Sequence, residues 1–185
     1  ALAEALKPES IWRAFGMPRN PQHFVADVGA TGIDIVLTRH KNSGVACAYA
    51  TARITRSSHS VNGSWNHDTA TGLLEALSTS LSVVTFANGV PLRTDAAVLQ
   101  ELDAVADLHS LTKWAARIVD PATTPEVVSR AFDLAQAGRP RPAFIEFVEN
   151  RPRAGCGARL PAESGSPPQP ADTGDVAEVD RDRMQ

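Results

Sequence analysis

Two nearly continuous apolar runs, residues 81–87 (Leu-Ser-Val-Val-Thr-Phe-Ala) and Ala143–Val148 (Ala-Phe-Ile-Glu-Phe-Val), constrain this chain more than any other feature. A strand with one wet face alternates apolar and polar residues. These runs are apolar at successive positions and so must be covered on both faces. Strands of that kind belong to parallel sheets, whose crossovers are usually helical. Helical segments fall between the apolar runs. Residues 69–77 place Leu73, Leu74 and Leu77 at helical spacing, residues 97–106 read as a helix, and residues 125–137 form an amphipathic one. For that last helix Thr124 is the expected N-cap, with Pro125 at the first helical position, Glu126 in the first turn and Gly138 at the C-terminal end. A third apolar run, residues 33–37, reads as another buried strand and leads into a helix over residues 42–53. Gly44, Ala46, Ala48, Ala50 and Ala52 would let this helix lie close to a neighbour. The alternation predicts an α/β domain.

Other segments are less clearly patterned. Residues 1–15 read as a helix interrupted at Pro8, with Leu2, Ala5, Leu6, Ile11, Trp12 and Phe15 as its apolar positions, and residues 21–31 as a short helix closed by Gly32. Residues 57–68 are a poor strand, with Val61 their one strand former, and residues 111–119 mix Trp114 with Ile118 and Val119. A chain of 185 residues with 43% apolar content can bury one core, expected over residues 1–150. Residues 151–185 hold five prolines, four glycines and no aromatic residue, and are expected to be a disordered tail. A net charge of −3, without a basic stripe, argues against nucleic acid as a partner. Cys47 and Cys156 sit in unlike contexts, which suits a reducing compartment. There is no apolar run of about 18 residues and no signal-peptide pattern. No membrane partner is expected, and the location is expected to be cytoplasmic. The sequence starts at Ala1 rather than methionine, as a trimmed or fragmentary chain would.

The run 33–37 ends in Thr38-Arg39-His40-Lys41 and a helix begins at once. The carboxyl end of a strand, with a helix starting beside it, is where open α/β sheets place ligand chemistry. The serines at 57, 58 and 60 form no nucleophile elbow. The five histidines show no metal-ligand spacing.

In order along the chain, Phe15-Gly16-Met17-Pro18 with Asn20-Pro21, Leu37-Thr38-Arg39-His40, residues 50–53, Thr71-Gly72-Leu73, Asn88-Gly89-Val90-Pro91, Gln100-Glu101-Leu102-Asp103, residues 112–117 and Gly138-Arg139-Pro140 resemble landmarks of one family. They are similar to the N-terminal, pyrimidine-binding (PYR) domain of thiamine-diphosphate-dependent enzymes of the acetolactate synthase type. The resemblance implies a three-layer fold, with a mainly parallel sheet of roughly six strands and helices on both faces. It also implies that this chain meets the aminopyrimidine side of thiamine diphosphate, with His40, Gly63 and Gln100 as cofactor-side residues. The diphosphate and its metal would belong to a second domain with a Gly-Asp-Gly motif and a downstream asparagine. Thr173-Gly174-Asp175 does not supply that motif. Thiamine diphosphate would therefore need a partner domain, from a homo-oligomer or another chain, and magnesium would not be bound by this chain.

Two departures stand out against the family pattern. Lys41 takes the place of the glutamate that shares a proton with the pyrimidine ring. A cation there opposes that step, so Lys41 is expected not to act as the family glutamate; the plain alternative is a solvated residue at a helix start. The glycine-rich loop is represented by residues 61–68, with Trp65 in place of a glycine, and His67-Asp68 is expected to be surface. Two functions are therefore expected: a split PYR-type subunit of an acetolactate synthase or 2-oxo acid decarboxylase, inactive alone, or a catalytically silent relative serving interaction or regulation.

Overall fold

The computed structural model describes residues 2–17, 27–56, 59–62, 66–89 and 103–148. Six strands form one sheet: β1 (Arg13–Gly16), β2 (Asp34–Leu37), β3 (His59–Asn62), β4 (Val83–Gly89), β5 (Trp114–Ile118) and β6 (Ala143–Val148). Their order is β2-β1-β3-β4-β6-β5, and every pairing is parallel. Helices delimited among the described residues are α1 (Leu2–Leu6), α2 (Lys41–Thr55), α3 (Ala70–Ser78), α4 (Ala104–Leu108) and α5 (Thr124–Gln136), and residues 27–29 are helical too.

The central strands bury both faces, as their composition requires. Val84 and Phe86 of β4, with Ile145 of β6, pack beneath α1 and α5 against Leu6, Val128 and Phe132. Val83 and Ala87, with Phe144, pack on the opposite face against Val45 of α2, Leu73 of α3 and Leu108 of α4. Successive residues thus point to opposite cores, which is the strand period of two at work. The expected three-layer α/β architecture is the one observed.

Several local expectations are corrected. The helix expected over residues 1–15 stops at Leu6, and a 3-10 turn at Lys7–Glu9 follows, with Pro8 at its start. Residues 13–16 are instead strand β1, lying between β2 and β3. The spacing of Ile11, Trp12 and Phe15 mimics a helix, but backbone pairing on both sides decides the strand. β2 was expected to be buried and is the sheet edge: Asp34 is exposed, and Leu37 is 56% exposed. An edge strand lacks one neighbour, and here Asp34 faces an ion pair with Arg13 at 2.6 Å. The polar segment around Val61 does form a strand, β3, paired to β1 and β4. For α5, Thr124 is the buried first helical residue and not the cap. Asp120 caps the preceding turn by accepting from Ala122 N at 2.9 Å. The C-cap is Ala137, its N–H donating to Asp133 O at 2.8 Å, and not Gly138, which follows at φ +57°, a conformation that suits a residue without Cβ.

Candidate functional site

The carboxyl ends of β2 and β3 and the start of α2 gather a set of polar groups. His40 is extended (φ −137°, ψ 142°) and caps α2, its Nδ1 accepting from Asn42 N at 3.2 Å. This fixes the first helical turn and turns Lys41 inward. Lys41 is only 5% exposed, so it is not the solvated residue that a helix start suggested. Its Nζ lies 3.3 Å from Asp68 Oδ2, in the 3-10 turn Asn66–Thr69 that follows β3. Burial pushes the Lys41 amine below its ordinary range, and the Asp68 carboxylate opposes that shift.

The next residue ties α2 to α3. Asn42 Oδ1 accepts from Gly72 N at 2.7 Å. A Cβ at Gly72 would stand 2.7 Å from Val45 Cβ and 2.9 Å from Asn42 Oδ1, so glycine is what permits the approach. The small-residue face of α2 therefore serves close packing, with Gly44, Ala48 and Ala52 buried.

A second set of charges continues along the same edge. His67 Nε2 is 2.8 Å from Asp107 Oδ2 on α4. Asp103, the N-cap of α4, accepts from Ala106 N and from Arg117 Nη2, the latter at 2.9 Å. Arg117 on β5 also donates to Glu146 on β6, its register partner across the sheet. Glu146 is 2% exposed. The ion pairs hold Arg117 above its ordinary range.

His67 and Asp68 are exposed, as expected, and their side chains do not meet; each reaches instead to a residue far along the chain. Of the expected site residues, the structure brings His40 and Lys41 to the carboxyl edge of the sheet. Gly63 and Gln100 lie outside the described residues, as do Trp65 and residues 151–185. Sequence reading missed Asp68 as the partner of Lys41, and it missed the Arg117–Glu146 pair. One signal was available for the latter, since Arg117 and Glu146 each interrupt an otherwise apolar strand with opposite charges.

The corner does not fit a cofactor that needs a carboxylate at position 41. An ammonium occupies that place, and the carboxylate within reach of it is engaged in an ion pair. Among the described residues no group of three His, Cys, Asp or Glu side chains is placed to hold a metal. No described helix is long and apolar enough to cross a membrane.

No family model matches the chain. Its relatives include the acetolactate synthase of Bacillus subtilis (strain 168), 30% identical over 155 residues, covering 80% of this chain and 27% of that protein. Acetolactate synthase 2, chloroplastic, of Nicotiana tabacum is 33% identical over 157 residues, covering 80% of this chain and 23% of that protein. The probable acetolactate synthase large subunit of Methanocaldococcus jannaschii is 29% identical over 157 residues, covering 81% and 26%. The chain spans about a quarter of the length of the curated relatives it matches. Over most of its length, then, this chain is homologous to acetolactate synthases.

Proposed function

We propose that the chain is the aminopyrimidine-side, PYR-type domain of an acetolactate-synthase-like assembly, and that it does not activate thiamine diphosphate by itself. The reading is supported by the parallel sheet that sets His40 and Lys41 at its carboxyl edge, where the family resemblance locates the cofactor-activating corner. The homology to acetolactate synthases over most of the chain agrees with a domain that works beside a diphosphate-binding one. That partner is a second domain or another chain, and the assembly is an oligomer. The substrate class is 2-oxo acids.

A specific observation favours a second reading, a catalytically silent homologue with an interaction or regulatory role. Lys41 is not loosely placed at the corner: it is buried and paired to Asp68. A lysine held in this way has become part of the packing.

Calorimetric titration of the chain with thiamine diphosphate and magnesium tests the proposal. Weak or no binding and no pyruvate decarboxylation are expected of the chain alone. Micromolar or tighter magnesium-dependent binding would overturn it. With a diphosphate-binding partner present, Lys41→Glu separates the two readings. A gain of activity supports the split subunit, and no gain supports the silent homologue.

A further inference from the structure

A cavity of about 460 Å³ opens at the other end of the sheet. It lies between the last turn of α2, the residues entering β4 and the end of α5, and so at the amino edge of the strands. From Lys41 to Arg53 along α2 the rise is about 18 Å, at ~1.5 Å per residue. The cavity is therefore separate from the Lys41 corner.

Among the described residues its polar lining is Arg53, Arg56, Ser80, Ser82 and Gln136, with Leu81 among the apolar residues and no carboxylate. Arg56 is fixed by its own backbone: at φ 56° it caps α2, its N–H donating to Ala52 O at 2.8 Å. Arg139 reaches the same rim from the α5–β6 connection and donates through Nε to Ser80 Oγ at 2.6 Å. None of these three arginines forms an ion pair among the described residues. Arg13 and Arg117, by contrast, are both paired to carboxylates. Basic residues in a last helical turn complement the helix dipole, which accounts for Arg53. It does not account for Arg139, which arrives at the rim from another part of the chain of a protein whose net charge is −3.

We infer that this cavity binds a small molecule carrying a phosphate or pyrophosphate group. Guanidinium groups match the paired oxygens of phosphate, and serine hydroxyls and the Gln136 amide can add neutral donors. The enclosed volume suits a small ligand, within the range of about 300 to 1,000 Å³ usual for such sites. Leu81 offers apolar contact to the rest of the molecule.

Inorganic pyrophosphate is the probe, titrated calorimetrically into the full chain at constant ionic strength. Arg53→Gln/Arg56→Gln should weaken binding at least about tenfold, because both guanidinium groups are lost. Gln136→Glu, which brings a carboxylate into the lining, should also weaken it. Arg39→Gln, exposed and beyond the opposite end of α2, should not. Arg53 and Arg56 are exposed, so the fold should survive their change, and Gln136→Glu gives an independent reading if it does not. Absence of pyrophosphate binding, equal binding by the double variant and by Gln136→Glu, or a response matched by chloride would each overturn the inference. Thiamine diphosphate itself carries a pyrophosphate group, so its titration is repeated on Arg53→Gln/Arg56→Gln: binding lost in that variant belongs to this cavity, whereas binding kept by it belongs elsewhere and counts against the proposed function alone.

Discussion

Gly72→Ala is the sharpest probe of how the candidate site is held. The added methyl group would stand 2.7 Å from both Val45 Cβ and Val45 Cγ1, and 2.9 Å from Asn42 Oδ1. Carbon atoms pack at about 3.5 to 4.0 Å, so α2 and α3 must part by about 1 Å. Val45 is fully buried and cannot swing into solvent. Overpacking of this kind costs about 1 to 3 kcal/mol, and weakening the Asn42 to Gly72 hydrogen bond adds about 1 kcal/mol. Alanine returns about 1 kcal/mol through helix propensity. The net loss should be about 1 to 3 kcal/mol, which lowers the thermal midpoint by roughly 2 to 12 °C for a domain of this size. Urea denaturation followed by circular dichroism would measure it, as a fall in midpoint at unchanged slope. Val45→Gly removes both crowding carbons and so makes room for the methyl group. In the double variant the two losses should therefore fall short of their sum by about 1 kcal/mol or more. A Gly72→Ala protein as stable as the parent, or strictly additive losses, would refute the close approach of α2 and α3 and with it the account of how Lys41 is positioned.

Lys41→Met tests the buried amine through pH. The folded amine titrates below the ordinary value of 10.5 because burial disfavours its charge. Between the lowered value and 10.5 the unfolded chain therefore binds more protons, and stability rises with pH. The parent should gain stability relative to Lys41→Met across that window, measured by urea midpoints, and a parallel pair of profiles would contradict the assignment. Arg117→Met leaves Glu146, only 2% exposed, without its guanidinium partner. The cost should be about 2 kcal/mol, below the roughly 3 to 5 kcal/mol of fully buried pairs because Arg117 is part-exposed, and Arg117→Met/Glu146→Leu should recover much of it. A single variant within about 0.5 kcal/mol of the parent would show that the pair contributes nothing, as at an ordinary surface site.

The sequence by itself determined the architecture. Runs such as Val83–Gly89 and Ala143–Val148 are apolar at successive positions, and a strand of that composition is stable only with helices on both of its faces. The end of α5 was legible to within one residue, since Gly138 takes the left-handed turn just past the cap at Ala137. Other features depended on groups distant in sequence. Residues 13–16 have a helix-like spacing and a preceding helix, yet they lie inside the sheet because two neighbouring strands satisfy their backbone groups. The segment around Val61 lacks strand-forming residues and is a strand for the same reason. β2 looks buried by composition and is an edge, because strand order is not a local property. At the site, the sequence identified His40 and Lys41 through their place at a strand end. Only the tertiary structure decided what Lys41 does there: Asp68, 27 residues on, meets its ammonium, and burial sets the balance between desolvation and charge pairing. Periodicity reads the faces of an element from neighbouring residues, whereas ion pairs, strand neighbours and cavities are made by parts of the chain that meet only on folding.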